Sequence, residues 1–137
     1  MKKIINITPK FITDKYSNFM VKARRIKDGG WVEGFMTIGL RQTTPYAEIK
    51  YWGGKNTFSE AVYPDKIYKC SGITDINGVL IYDGDLIKLD DDDVYTVNSY
   101  NGTWWLFSTT REYDEAAKLF EIDADVIVVG HVSDEEV

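Results

Sequence analysis

The chain has 137 residues, 44% of them hydrophobic and 14% aromatic. It is long enough to bury about two-thirds of its unfolded surface without a staple, and too apolar to stay disordered. Its single cysteine, Cys70, excludes an internal disulfide framework, and no apolar run approaches the ~20 residues that span a bilayer.

The net charge is −6 and unevenly placed. Residues 1–70 hold 13 Lys/Arg and 6 Asp/Glu, a balance of +7; residues 71–137 hold 3 and 16, a balance of −13. Such halves can attract each other within a chain or head to tail between copies, and the basic half could meet nucleic acid. A polarised, solvated surface is the plainer explanation of the same counts. The opening Met1-Lys2-Lys3-Ile4-Ile5-Asn6-Ile7 has no apolar core of a secretory signal. A cytoplasmic location in the host cell is expected, with no membrane partner.

In chain order, Phe19 to Ile26 alternates as a strand, with Phe19, Val21 and Ala23 on one face. Asp28-Gly29-Gly30 is a turn. Trp31 to Leu40 reads as the return strand, with Val32, Met36, Ile38 and Leu40 on one face and Trp31, Glu33, Phe35 and Thr37 on the other. Tyr46 to Trp52 follows Pro45 and places Ala47, Ile49 and Tyr51 opposite Glu48, Lys50 and Trp52. Gly53-Gly54 ends it. Weaker strand signals at Phe58 to Tyr63 and Lys66 to Cys70 flank Pro64.

Asp75-Ile76-Asn77-Gly78 and Asp83-Gly84 are turns around the short strand Val79 to Tyr82, and Asp85 to Leu89 is the next strand. The run Asp90 to Asp93 must stay in water and reads as a loop. Val94 to Tyr100 and Thr103 to Phe107 flank Asn101-Gly102, a strong short hairpin signal. Thr109 and Glu112 resemble a capping box. Tyr113, Ala116, Ala117 and Phe120 then fall on one helical face, which predicts one short helix. Val126 to Val132 reads as a strand buried on both sides. The expected fold is therefore mainly β, or α+β with one short helix, built as a small antiparallel barrel or sandwich.

The stretch Cys70-Ser71-Gly72-Ile73-Thr74-Asp75-Ile76-Asn77-Gly78-Val79-Leu80-Ile81-Tyr82-Asp83-Gly84-Asp85-Leu86-Ile87 resembles the signature of the YopX family of phage and prophage proteins. Gly72, Asp75, Asn77, Gly78, Ile81, Tyr82, Gly84 and Asp85 fall in register with it. Gly29 to Phe35 is similar to a Gly-x-Trp-Val-x-Gly-aromatic element of that family. Val128-Val129-Gly130-His131-Val132 is similar to its closing Val-Ile-Gly-Asn-Ile. The departures are Cys70 for an aromatic and His131 for Asn. The resemblance implies one β-rich domain over 1–137, a phage-type protein without assigned activity, and homo-oligomers; it supplies no catalytic residue. A subdivision near 66–70 is the other arrangement weighed, with a basic N-terminal half and an acidic, SH3-like C-terminal half. The block reads physically as structural: glycines at turns, Ile81, Leu86 and Ile87 in a core, Tyr82 at its edge, and Asp75 and Asp85 bonded to turn amides.

The patterns of chemistry are missing. The lone histidine, His131, lies late in an apolar strand, where a satisfied core or edge histidine is the plainer reading than a catalytic base. One Cys and one His cannot close a zinc site. Asp90 to Asp93 lacks the spacing of a calcium loop. No catalytic, cofactor or metal residue is assigned, and the protein is expected not to be an enzyme. One patch invites a binding role: Lys22, Arg24, Arg25, Lys27, Lys50, Tyr51, Trp52 and Lys55 mix cations with aromatics, as single-strand binders do. Overall acidity argues against nucleic acid as a partner without excluding it. Self-assembly, or binding to an unidentified protein, is the leading expectation.

Overall fold

The computed structural model describes residues 15–89, 93–109, 117–119 and 125–136. It is mainly β, with every observed pairing antiparallel. By its contacts the chain separates into two compact units, Met1–Cys70 and Ser71–Val137.

The first unit holds β1 (Val21–Arg25), β2 (Trp31–Arg41), β3 (Thr44–Gly53) and most of β4 (Asn56–Thr74). β1 pairs with β2, β2 with β3, and β3 with the first part of β4. β4 then returns to β1 through Ile67, Tyr68 and Lys69, so the four strands close on themselves. Among the described pairings β1 follows β2 as far as Gly34, so the closure is partial; up to there it removes the sheet edges and gives the strands one inner face. Val21, Ala23, Val32, Ala47, Ile49, Tyr51 and Val62 fill it.

β4 is one 19-residue strand where the sequence suggests two weak ones. Its partner changes near Pro64. Arg25 pairs with Val62 but Ala23 with Ile67, so an irregularity falls opposite Arg24. A proline, which cannot donate to a ladder, is tolerated there.

The second unit holds the end of β4, β5 (Leu80–Tyr82), β6 (Asp85–Lys88), β7 (Val94–Tyr100), β8 (Thr103–Ser108), β9 (Ala117–Lys118) and β10 (Ile127–His131). β5 follows β4 in the first sheet, and the second sheet runs β10-β6-β7-β8-β9. Asn101 and Gly102 both have positive φ between β7 and β8, as a tight two-residue hairpin requires. Ile81, Ile87, Val97, Leu106 and Leu119 form the core.

Several expectations are corrected. The predicted helix falls largely on residues outside those described, but Ala117–Lys118 is a strand paired with Trp105 and Leu106. A hydrogen-bonded neighbour strand overrides its helical spacing. β10 is not buried on both sides: Ile127 and Val129 are exposed while His131 is buried. An apolar run cannot reveal that, among the described pairings, β6 alone flanks it. Phe19 lies before β1 and is exposed. Met36, Ile38 and Leu40 share a face with buried Val32, yet all three are exposed. The Asp90–Asp93 loop lies outside the described residues except for Asp93.

Candidate functional site

Three places on the molecule concentrate unusual residues. The first is the block from Gly72 to Asp85 with its partners on β10. Gly72, Gly78 and Gly84 all have positive φ. The buried Asp75 carboxylate accepts three backbone amides: Oδ1 takes Asn77 N at 2.8 Å and Val79 N at 2.9 Å, and Oδ2 takes Val128 N at 3.0 Å. The β4–β5 turn is thereby tied to β10. The buried Asp85 Oδ2 accepts Tyr82 N at 2.8 Å, which fixes the β5–β6 turn, and Ile81 and Tyr82 are buried beside it.

His131 belongs to the same construction. Ser133 N donates to its Nδ1 at 3.0 Å, so that nitrogen is an acceptor. The ring proton is then on Nε2, which donates to Asp83 O at 3.0 Å. Gly84 sits under this ring. A Cβ there would lie 2.5 Å from His131 Nε2, so both its φ of +84° and the close approach demand glycine. Gly130 takes its place in β10 opposite Leu86. Sequence reasoning put His131 in a strand but gave it no partner; its ring contacts come from Ser133, two residues on, and from Asp83, read in the sequence only as a turn residue. The polar atoms of this block therefore hold turns. Among the described residues, no group of three or more His, Cys, Asp or Glu could hold a metal ion.

Beside the block, Leu86, Val94, Val129 and Val132 line an open recess of about 450 Å³ with Thr109 and Asp134. Two of its polar groups are engaged: Thr109 Oγ1 donates to Val94 O and Asp134 Oδ2 accepts His131 N, both at 2.9 Å.

The second place is the outer face of the closed strands. Lys22 and Arg24 on β1 lie over the ring of Trp31 on β2, at 4.7 and 4.1 Å from its centroid. Tyr68 on β4 meets the same indole edge-on at 6.1 Å. Further along, Phe35 and Trp52 meet edge-on, and Lys50 pairs across from Phe35. Lys55 is exposed in the β3–β4 turn. The rest of the basic-aromatic group lies elsewhere. Arg25 and Tyr51 are buried in the inner face. Arg25 forms an ion pair with Asp28 at 2.7 Å. Glu60 binds Lys27 at 3.0 Å and accepts from the Tyr51 hydroxyl at 3.4 Å. Burial first, and then the Glu60 charge, push the Tyr51 phenol above its usual value of 10.0. The indole of Trp31 is already covered by cations, so a stacked base would have to displace them.

The third place carried no functional signal in the sequence. The β1–β2 ladder ends at Gly34, where a Cβ would lie 2.1 Å from Lys50 O. Beyond it, among the described pairings, β2 from Phe35 to Arg41 is bonded to β3 alone. On this stretch Met36, Ile38 and Leu40 are 46%, 53% and 68% exposed. The alternation was visible; that it continues past the end of the neighbouring strand was not.

The fold and these sites define an antiparallel β protein whose distinctive aspartates, glycines and histidine organise turns. A family model described as YopX protein matches residues 13–135, nearly the whole chain, and the chain belongs to that family. No curated protein and no solved structure matches it. Among the described residues, no helix is long and apolar enough to cross a membrane.

Proposed function

We propose that this chain is a non-enzymatic accessory protein of phage or prophage origin that acts in the cytoplasm by self-assembly or by binding another protein. The observation that carries the reading is the open stretch of β2. Three large apolar side chains stand in water along a strand whose outer side has no described partner. Exposed apolar edges are templates for pairing, and folded proteins ordinarily blunt them with charge, proline or a covering element. The groups best suited to chemistry, Asp75, Asp85 and His131, are engaged by backbone atoms, which supports a role without catalysis. Sedimentation velocity at modest salt is expected to give a species heavier than the 15.7 kDa chain. A clean monomer at high micromolar concentration removes self-assembly and leaves only the binding of another protein.

A second reading, a nucleic-acid-binding regulator, is favoured by one observation, the Lys22–Trp31–Arg24 cluster on the outer face. Fluorescence anisotropy with labelled single- and double-stranded DNA and RNA at low salt tests it. Absence of binding at about 50 μM, near the non-specific range of weak binders, ends it.

A further inference from the structure

We infer that the open edge of β2 pairs with the same edge of a second copy, antiparallel and centred on Ile38. This rests on the self-assembly reading above and names its contact. Two separate features share that centre. Among the described pairings, the stretch bonded on one side only runs from Phe35 to Arg41, whose midpoint is Ile38. The exposed apolar residues Met36, Ile38 and Leu40 are also symmetric about Ile38.

In an antiparallel pair, opposite residues share a face. The two-fold pairing therefore sets Ile38 against its own copy and Met36 against Leu40 of the other chain. All three apolar positions are matched. A two-residue shift either way keeps the faces but leaves one apolar residue on each strand without an apolar partner. A one-residue shift sets the apolar face beside the polar one.

The charges also agree. Residues 34–40 contain none, so no like charges meet along the seam. At each end Arg41 falls opposite Phe35 of the other copy and diagonal to its Glu33, within reach of a long side chain. Arg41 is mostly exposed; in its own chain its guanidinium lies 4.6 Å from the centroid of the Tyr46 ring and makes a loose 3.6 Å contact with Glu48. Each dimer thus acquires two Arg41–Glu33 pairs, related by symmetry, as an isologous contact requires. A seam of seven residues is small against the ~1,200 Å² of a stable complex, so the dimer is reversible and concentration-dependent.

The test uses the full chain. Sedimentation velocity of the wild type is expected to shift with concentration toward twice 15.7 kDa. Ile38→Lys should remain monomeric, because it places two cations together at the two-fold; the side chain is half exposed, so the fold is kept. Register is read by cysteine cross-linking with diamide, which takes up the two thiol hydrogens as the disulfide forms. Cys70 is buried and is first replaced by serine.

Ile38→Cys should then cross-link to itself. Met36→Cys should not, since its two copies lie about 14 Å apart along the strands, whereas a mixture of Met36→Cys and Leu40→Cys should. Stronger self-linking of Met36→Cys than of Ile38→Cys overturns the register. An Ile38→Lys variant as heavy as the wild type overturns the contact and leaves self-assembly standing. A wild-type monomer overturns both. So does a monomer in which the Ile38→Cys thiol resists maleimide, since residues of the same chain would then cover the edge.

Discussion

The Asp75 carboxylate receives donors from two directions, Asn77 and Val79 on one oxygen and Val128, 53 residues away, on the other. Only a carboxylate is an acceptor on both sides. In Asp75→Asn one side of the group becomes an NH₂ that faces an amide N–H, and a buried donor goes unpaired at about 1–3 kcal/mol. Asn77→Ala, by contrast, changes an exposed side chain and should stay within about 0.5 kcal/mol of the wild type. Urea unfolding midpoints separate the two. Equal midpoints for Asp75→Asn and the wild type would mean that the turn's glycines suffice. The same residue marks how legible the site was. The spacing Asp-x-Asn-Gly announces an Asx-type turn, so two of the three bonds could be anticipated. The third could not, because nothing local to Val128 says which strand edge it borders.

The β1–β2 turn shows how an element can carry a pH dependence of its own. Asp28 Oδ1 accepts Gly30 N at 3.0 Å, and Oδ2 meets the Arg25 guanidinium at 2.7 Å. The backbone bond from Gly30 is the largest influence and holds its carboxyl below the usual 3.8; desolvation opposes it, and the Arg25 and Lys27 charges add to the lowering. The folded value is depressed. The turn's contribution is therefore fully present above 3.8 and is lost as pH falls through the lower folded value. An NMR titration should place the Asp28 midpoint below 3.8, and Asp28→Asn should abolish this part of the acid dependence. A midpoint at or above 3.8 would contradict it. This turn was plain in the sequence because Asp-Gly-Gly lies between alternating runs, and the Asn101-Gly102 hairpin was plain for the same local reason. What escaped depended on neighbours. Met36, Ile38 and Leu40 alternate like core residues, but β1 stops short of them. Pro64 looked like a break and sits where β4 changes partner. Ala117 has helical spacing and lies beside Leu106.

At the scale of the whole molecule, each of the two units has its own core. Ile49 and Ile87 are each fully buried, in the first and second core respectively, and β4 runs past the Cys70–Ser71 division without interruption. Each unit has a core of its own, so the units are expected to open as separate cooperative blocks. Ile87→Ala leaves a cavity at a cost of about 2–5 kcal/mol. Amide hydrogen exchange should then accelerate in β6, β7 and β8 while β1, β2 and β3 keep their protection; Ile49→Ala should do the reverse. Charge biases which block opens first. Residues 71–137 carry a balance of −13 against +7 for residues 1–70, and like charges packed into one unit repel in the compact state. Raising the salt screens that repulsion. Protection of β6–β8 should therefore rise with ionic strength by more than protection of β1–β3. Equal acceleration of all strands by either cavity would mean that the chain opens as one cooperative block, and the charge division would then describe only the surface.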